Sequence, residues 1–264
     1  MTQAIQKKLN DSAFARWTAL ILVALTMFFG YMFVDVLSPL QNMLESTRGW
    51  SPTIFGLYGG SEFILNVCGF LLVAGIILDK MGVRFTGILS ASLMVLGAGI
   101  KFYGLSNYFY EGGFGYEFLS SFLTDIPASA KLACLGFMVF GCGTEMAGVT
   151  VSRAIVKWFT GKELALAMGL EMAIARLGVF AVFSLSPWVA NWGGDPSVAR
   201  PVAVVGLLLC IGLLTYIAFS VMDFKLDRQT EADTPIGETE EPFKVADLKL
   251  SLIHISEPTR RSYI

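Results

Sequence analysis

Apolar residues along this chain gather in long runs separated by short polar stretches. Such runs occupy residues 17–37, 52–78, 85–103 and 201–222. Two more, each of over 20 mostly apolar residues, flank a polar turn at 157–163. About 20 such residues, rising ~1.5 Å each, cross a bilayer core of ~30 Å. The pattern therefore predicts an all-α membrane protein with six transmembrane helices. Of the connections, 38–51 reads as a short loop with Arg48 and Trp50, and 79–84 as a very tight turn. The stretch 104–131 is long and mixes Glu111, Glu117 and Asp125 with tyrosine, phenylalanine and glycine, a composition suited to a membrane interface.

This division sets the domain organisation. Residues 1–16 form a polar leader with Lys7 and Lys8, 17–222 the six-helix bundle, and 223–249 a charged, proline-containing linker. The first run is too long for a signal-peptide core, so it reads as an uncleaved helix. Six crossings place both ends of the bundle on one side of the bilayer. Lys7, Lys8, Arg16, Lys80, Arg84, Lys157, Lys162, Lys225 and Arg228 fall on that side, against Arg48, Lys101, Lys131 and Arg200 on the other. The positive-inside rule then puts the N-terminus in the cytoplasm. With no sorting signal visible, a bacterial inner membrane is the default expectation. Residues 250–260, LSLIHISEPTR, resemble the in-frame translation of a transposase adapter used in DNA library preparation. Residues 250–264 are accordingly expected to be non-native, and the chain to be a fragment ending in the linker after helix six.

Composition agrees with a membrane protein. Of 264 residues, 55% are hydrophobic and only 15% charged, with a mean hydropathy of +0.64. A net charge of −2 argues against nucleic acid as a partner. Cys68, Cys134, Cys142 and Cys210 lie in or beside apolar runs without metal-ligand spacing, and read as small buried hydrophobes. The helices hold no histidine and no nucleophile–base pair, so neither a cofactor nor an enzymatic activity is expected.

The chemistry lies in charges within the apolar runs. Glu145 precedes the middle of the 157–163 turn by about as many residues as Arg176 follows it. At ~1.5 Å per residue the two reach similar depth, near the midplane. A charge there costs at least ~2.5–3.5 kcal/mol, so both must face a bundle interior or a wet cavity. Gly141, Gly148 and Ser152 share the Glu145 face, and Gly169 and Ala173 that of Arg176; small residues let a backbone or a ligand approach. Two readings follow: a structural ion pair between two helices, or a substrate site with one anionic and one cationic pole. Asp35, near Tyr31 at the far end of the first run, is either an interfacial carboxylate or a further site residue. Glu62, Arg153 and Glu171 are membrane charges without an evident role; Arg153 lies where it can snorkel or pair with Glu171.

Between helices two and three stands Gly75-Ile-Ile-Leu-Asp79-Lys80-Met-Gly82-Val-Arg84. Gly82 suits a sharp turn, and Asp79, Lys80 and Arg84 suit an ion-pair latch at the cytoplasmic face. This stretch resembles the signature loop of the major facilitator superfamily. Phe140-Gly141, Gly143, Glu145, Trp158-Phe159, Gly161-Lys162-Glu163-Leu164, Gly169-Leu170 and Ala175-Arg176-Leu-Gly178 are similar to the lysosomal dipeptide-transporter branch, as are Tyr31 and Asp35. Helix five lacks the Gly-Pro pair of proton-driven drug antiporters. The resemblance implies the N-terminal bundle of a twelve-helix secondary transporter, built from inverted three-helix repeats and rocking against a missing C-terminal half. It further implies that Glu145 holds a substrate ammonium and Arg176 a carboxylate, with Asp35 and Tyr31 beside them. The expected cargo is a small zwitterion, foremost a short peptide. An amino acid or organic anion is the alternative, and a ligand-binding receptor or scaffold that moves nothing is the rival of another class.

Overall fold

A computed structural model describes residues 8–231. The expectations for residues 1–7, for 232–249 and for the adapter-like tail lie outside the described residues. The first crossing is α1, Ala13–Val34, which buries Ala19, Leu20, Val23, Ala24 and Phe33. It ends where Asp35 leaves helical geometry (φ −96°, ψ 8°), slightly short of the expected end. Residues 38–51 are not a plain loop: they hold a 3₁₀ turn, Ser38–Leu40, and α2, Gln41–Arg48.

Helix α3, Pro52–Leu65, starts where proline opens the first turn and Ser51 Oγ accepts from the Ile54 N–H at 3.4 Å. It continues through a π-helical stretch, Asn66–Phe70, kinked at Gly69 (φ 109°), into α4, Leu71–Leu105. The whole apolar stretch Pro52–Leu105 has 54 residues, about 80 Å if straight, far more than one crossing needs. Gly82 divides it with φ 75° and ψ 174°, a conformation essentially confined to glycine. The turn expected over 79–84 thus narrows to one residue, and five long helical stretches supply six crossings.

Two short helices, α5 (Asn107–Tyr110) and α6 (Tyr116–Ser120), occupy the long connection. The fourth, fifth and sixth crossings are α7 (Ala128–Phe159), α8 (Leu164–Ala190) and α9 (Ala199–Glu231). Helix α9 runs past residue 222, where a solvent-exposed linker was expected. The reason is that the protein itself satisfies its first acidic side chain. Asp223, 1% exposed, accepts from Lys157 Nζ at 2.8 Å and Trp158 Nε1 at 3.0 Å.

Contacts fix the helix directions. Trp50 Nε1 donates to Ser129 Oγ at 3.0 Å, Tyr58 stacks on Phe137, and Glu62 faces Gly141, so numbers rise together and the second and fourth crossings are parallel. Ser186 Oγ donates to the Val36 carbonyl at 2.7 Å while Gly178 abuts Phe28, which makes the first and fifth parallel. In contrast, Gly97 abuts Phe140, and Gly143 abuts Ser90, so the third and fourth are antiparallel. The Thr26 hydroxyl donates to the Gly212 carbonyl at 2.9 Å, and the Leu9 N–H to Gln229 Oε1 at 2.7 Å, an antiparallel first and sixth. Exchanging crossings one to three with four to six maps these contacts onto one another: one-with-five becomes four-with-two, and one-with-six becomes four-with-three. This is the contact pattern of an inverted three-helix repeat. Val67, Leu72, Leu177 and Phe180 are exposed on the outside, as a bilayer or a second bundle would require. All four cysteines are free, but only Cys142 is buried and Cys68 is exposed.

Candidate functional site

Glu145 lies on α7 and Arg176 on α8. Their depths are tied by a chain of contacts: Gly178 meets Phe28, Gly30 meets Met94, and Met94 meets Gly143. The two charges therefore sit at nearly the same level, beside residues 28–31 of α1. Yet they do not pair. Among the described residues no carboxylate lies within ion-pair distance of Arg176. Its guanidinium instead stands over the Tyr31 ring, 5.0 Å from the centroid, a cation–π contact that holds the side chain.

The surroundings of both poles are open. Glu145 is half-buried, while Ser152, Gly169, Ala173 and Arg176 are exposed. A Cβ added at Gly148 or Gly169 would meet nothing within 4 Å, so these small residues border space and not a neighbouring helix. Gly141 differs, because its missing side chain makes room for the backbone and Cγ of Glu62 on α3. Asp35 caps the end of α1, half-buried, and accepts from Ser38 Oγ at 3.0 Å. The structure thus brings Tyr31 and Arg176 into contact, with Asp35 one turn along α1 and Glu145 at a similar level on α7.

Three further charges find unexpected places. Lys101, counted above among the residues flanking the far side, is fully buried. Its ammonium lies among the rings of Phe33, Phe137 and Tyr58 at 4.3, 4.4 and 5.0 Å. Arg153 pairs with Asp79 of the glycine-aspartate motif, not with Glu171, which is buried on α8. Glu62 is buried on α3 with Lys101, Glu145 and Asp35 as its electrostatic neighbours. Lys101 escaped the sequence reading because it stands near the end of an apolar run. The one signal in the sequence is that Phe102, Tyr103 and Leu105 continue the apolar run beyond it.

The motif between the second and third crossings anchors a second charge cluster at the N-terminal end of the bundle. Arg84 reaches Asp227 at 3.3 Å, and Lys157 bonds both Asp223 (2.8 Å) and Asp227 (2.6 Å). The Tyr216 hydroxyl donates to the Val83 carbonyl, next to the Gly82 break, at 3.1 Å. Lys80 and Gly75 are not drawn into this cluster; a Cβ at Gly75 would meet nothing within 4 Å. Beside it, Arg16 pairs with Glu163 at 3.2 Å and Lys162 with Asp11 at 2.9 Å, joining α1 to the α7–α8 turn.

The Major Facilitator Superfamily profile matches residues 20–257. The chain belongs to the major facilitator superfamily. It is also similar to the lysosomal dipeptide transporters of Bos taurus (30% identical over 44% of this chain and 26% of the relative) and Pongo abelii (25% over 89% and 47%). The Gallus gallus transporter is 32% identical over 44% of this chain and 27% of its own length. The chain therefore spans about half the length, or less, of the curated relatives it matches. No solved structure matches it. Superfamily membership and the apolar helices make this an integral membrane protein whose helices form a half-bundle of the superfamily fold. They point to transport and not catalysis.

Proposed function

We propose that the full-length protein is a secondary transporter of small zwitterionic solutes, foremost short peptides, working by alternating access. In this reading Glu145 holds the ammonium end and Arg176 the carboxylate, which its planar fork can grip with two parallel hydrogen bonds. Asp35 and Tyr31 complete the site, Tyr31 by keeping Arg176 extended into the opening. The observation that carries the reading is the pair of opposite charges at one depth that leave each other unpaired. A structural ion pair would have closed, because an isolated charge in this environment is costly. The dipeptide transporters among its relatives support the choice of cargo. The reading places this bundle against a second six-helix bundle, the cavity between them, and the N-terminus in the cytoplasm. The lysosomal naming of those relatives leaves a bacterial inner membrane without support from them.

The test follows thermal unfolding of the purified full-length protein against dipeptides, free amino acids and organic acids. A ligand bound only by the folded state stabilises by about 2.7 kcal/mol at 100 times its Kd. Dipeptides are expected to raise Tm, and Arg176→Ala and Glu145→Gln to abolish the rise. Stabilisation by free amino acids or organic acids alone would move the cargo to those classes. Binding without flux in liposomes would favour a receptor.

A further inference from the structure

Helix α1 ends at the far end of the first crossing, and its last carbonyls need partners. The Asp35 N–H and the Val36 N–H both turn back to the Phe33 carbonyl, the latter at 3.5 Å. Lys101 Nζ, from the third crossing, donates to the same oxygen at 3.4 Å. One residue group on, Ser186 of the fifth crossing holds the Val36 carbonyl at 2.7 Å. The break that carries Asp35, one turn beyond Tyr31, is thus clamped from both flanks. A cation at a helix C-terminus is also the favourable sign for the helix dipole.

The ammonium is placed with care. It is fully buried inside a box of Phe33, Tyr58 and Phe137, each ring within 5.0 Å. Among the described residues no carboxylate comes within ion-pair distance of it. Glu62 and Asp35 act on it from farther away. Glu62 in turn feels Glu145, and the buried Tyr58 hydroxyl beside it has no hydrogen-bond partner among the described residues. A lysine that served only to fill this box would be replaceable by any apolar chain of its size.

We propose that Lys101 is a positioning residue for the peptide site: its ammonium fixes the broken end of α1, and with it Tyr31 and Asp35. Tyr31 in turn carries Arg176, so the tie from the third crossing reaches the cationic pole through two contacts. Lys101 never touches the cargo. This inference rests on the two-pole reading above for its binding readout, and on the α1 break alone for its second readout.

The experiment compares Lys101→Met with Lys101→Arg in the full-length protein. Methionine keeps the volume and apolar contact with the rings but removes the donor. Glu62→Gln combined with Lys101→Met relieves the carboxyl left without its cation, which keeps the folded state accessible. Two quantities are read: the Kd for the stabilising dipeptide, and hydrogen–deuterium exchange across residues 31–40. For Lys101→Met/Glu62→Gln we expect at least a tenfold weaker Kd with a Tm close to that of Glu62→Gln, and faster exchange over 31–40. Lys101→Arg should recover part of both, since it restores a donor. Unchanged exchange and unchanged Kd in the double variant would overturn the proposal and make Lys101 a filler of the aromatic box. If the wild type ignores every dipeptide, the cargo reading fails. The exchange pattern still decides whether Lys101 holds α1.

Discussion

Two groups of charges in this bundle obey opposite rules. At the N-terminal end nearly every charge is spoken for: Arg84 with Asp227, Lys157 with Asp223 and Asp227, Arg153 with Asp79, Arg16 with Glu163, Lys162 with Asp11. Near mid-depth, Glu145 and Arg176 do not pair with each other, and Gly148 and Gly169 beside them border open space. The first location lies at one end of the crossings and the second near mid-depth, where an unpaired charge is the more costly. Electrostatics alone would therefore make the mid-depth pair the more urgent one to form. Under the proposed two-pole reading, that the opposite holds separates charges kept for shape from charges kept for a ligand. Substitutions in the first group should be read in stability, and those in the second in binding.

Asp223→Ala is expected to show the largest stability loss. It strips the acceptor from a buried indole N–H and from Lys157, where breaking a buried pair costs about 3 kcal/mol. The lower end of the usual range applies because Lys157 keeps 32% of its side chain exposed. Thermal unfolding in detergent measures it, and a Tm equal to wild type would show that the end cluster is ornamental. Gly82→Ala comes next. A Cβ there would meet nothing within 4 Å, so the whole effect is conformational, about 2 kcal/mol for forcing alanine to φ 75°, ψ 174°. The same substitution at Gly75, inside regular helix and equally uncrowded, should be neutral or stabilising. A loss at both positions would mean that crowding, and not backbone conformation, governs the turn.

These contrasts mark what the residue pattern could convey. Hydropathy alone gave six crossings, because a bilayer demands long apolar runs and leaves little freedom in how they are met. The Asp79–Gly82 turn was legible too, since only glycine readily takes the required backbone angles. What stayed hidden depended on partners distant in sequence. Asp223 reads as the first residue of a linker until Trp158 and Lys157, on another helix, are seen to satisfy it. Lys101 reads as a flank until three rings from three helices close around it. Arg153 finds Asp79 through the parallel packing of the second and fourth crossings, and periodicity does not specify which helices lie side by side. Glu145 and Arg176 were found by counting residues from their shared turn, a local measure that survives folding.

The junction of α1 with the α7–α8 turn gives a smaller, pH-dependent effect. Hydrogen bonding to Lys162 holds the Asp11 carboxyl below its ordinary value of 3.8. Glu163 is likewise lowered from 4.5, first by its own backbone N–H and then by Arg16. Both native values lie below the unfolded ones, so the contribution is complete above about pH 4.5 and is lost as pH falls through the native values. Asp11→Asn with Glu163→Gln should lower Tm slightly near pH 7 and leave it unchanged at strongly acid pH, so that the acid limb of a Tm-versus-pH curve flattens. Both groups are open to solvent, and 1 M salt should shrink the difference. An acid limb of unchanged slope in the double variant would assign it to other carboxylates.

The smallest expected stability change is the most telling. Arg176→Ala gives up one cation–π contact with Tyr31, about 0.5–1 kcal/mol where the guanidinium is exposed. Glu145→Gln removes a charge that, among the described residues, has no cation within ion-pair distance and that opposes Glu62, so ligand-free Tm should hold or rise slightly. Glutamine keeps the shape and loses only the charge, so any defect in peptide binding then belongs to the ammonium pole. A large drop in ligand-free Tm for Glu145→Gln would instead place Glu145 with the end cluster, as a charge the fold itself requires. The distinction between the two groups would then rest on Arg176 alone.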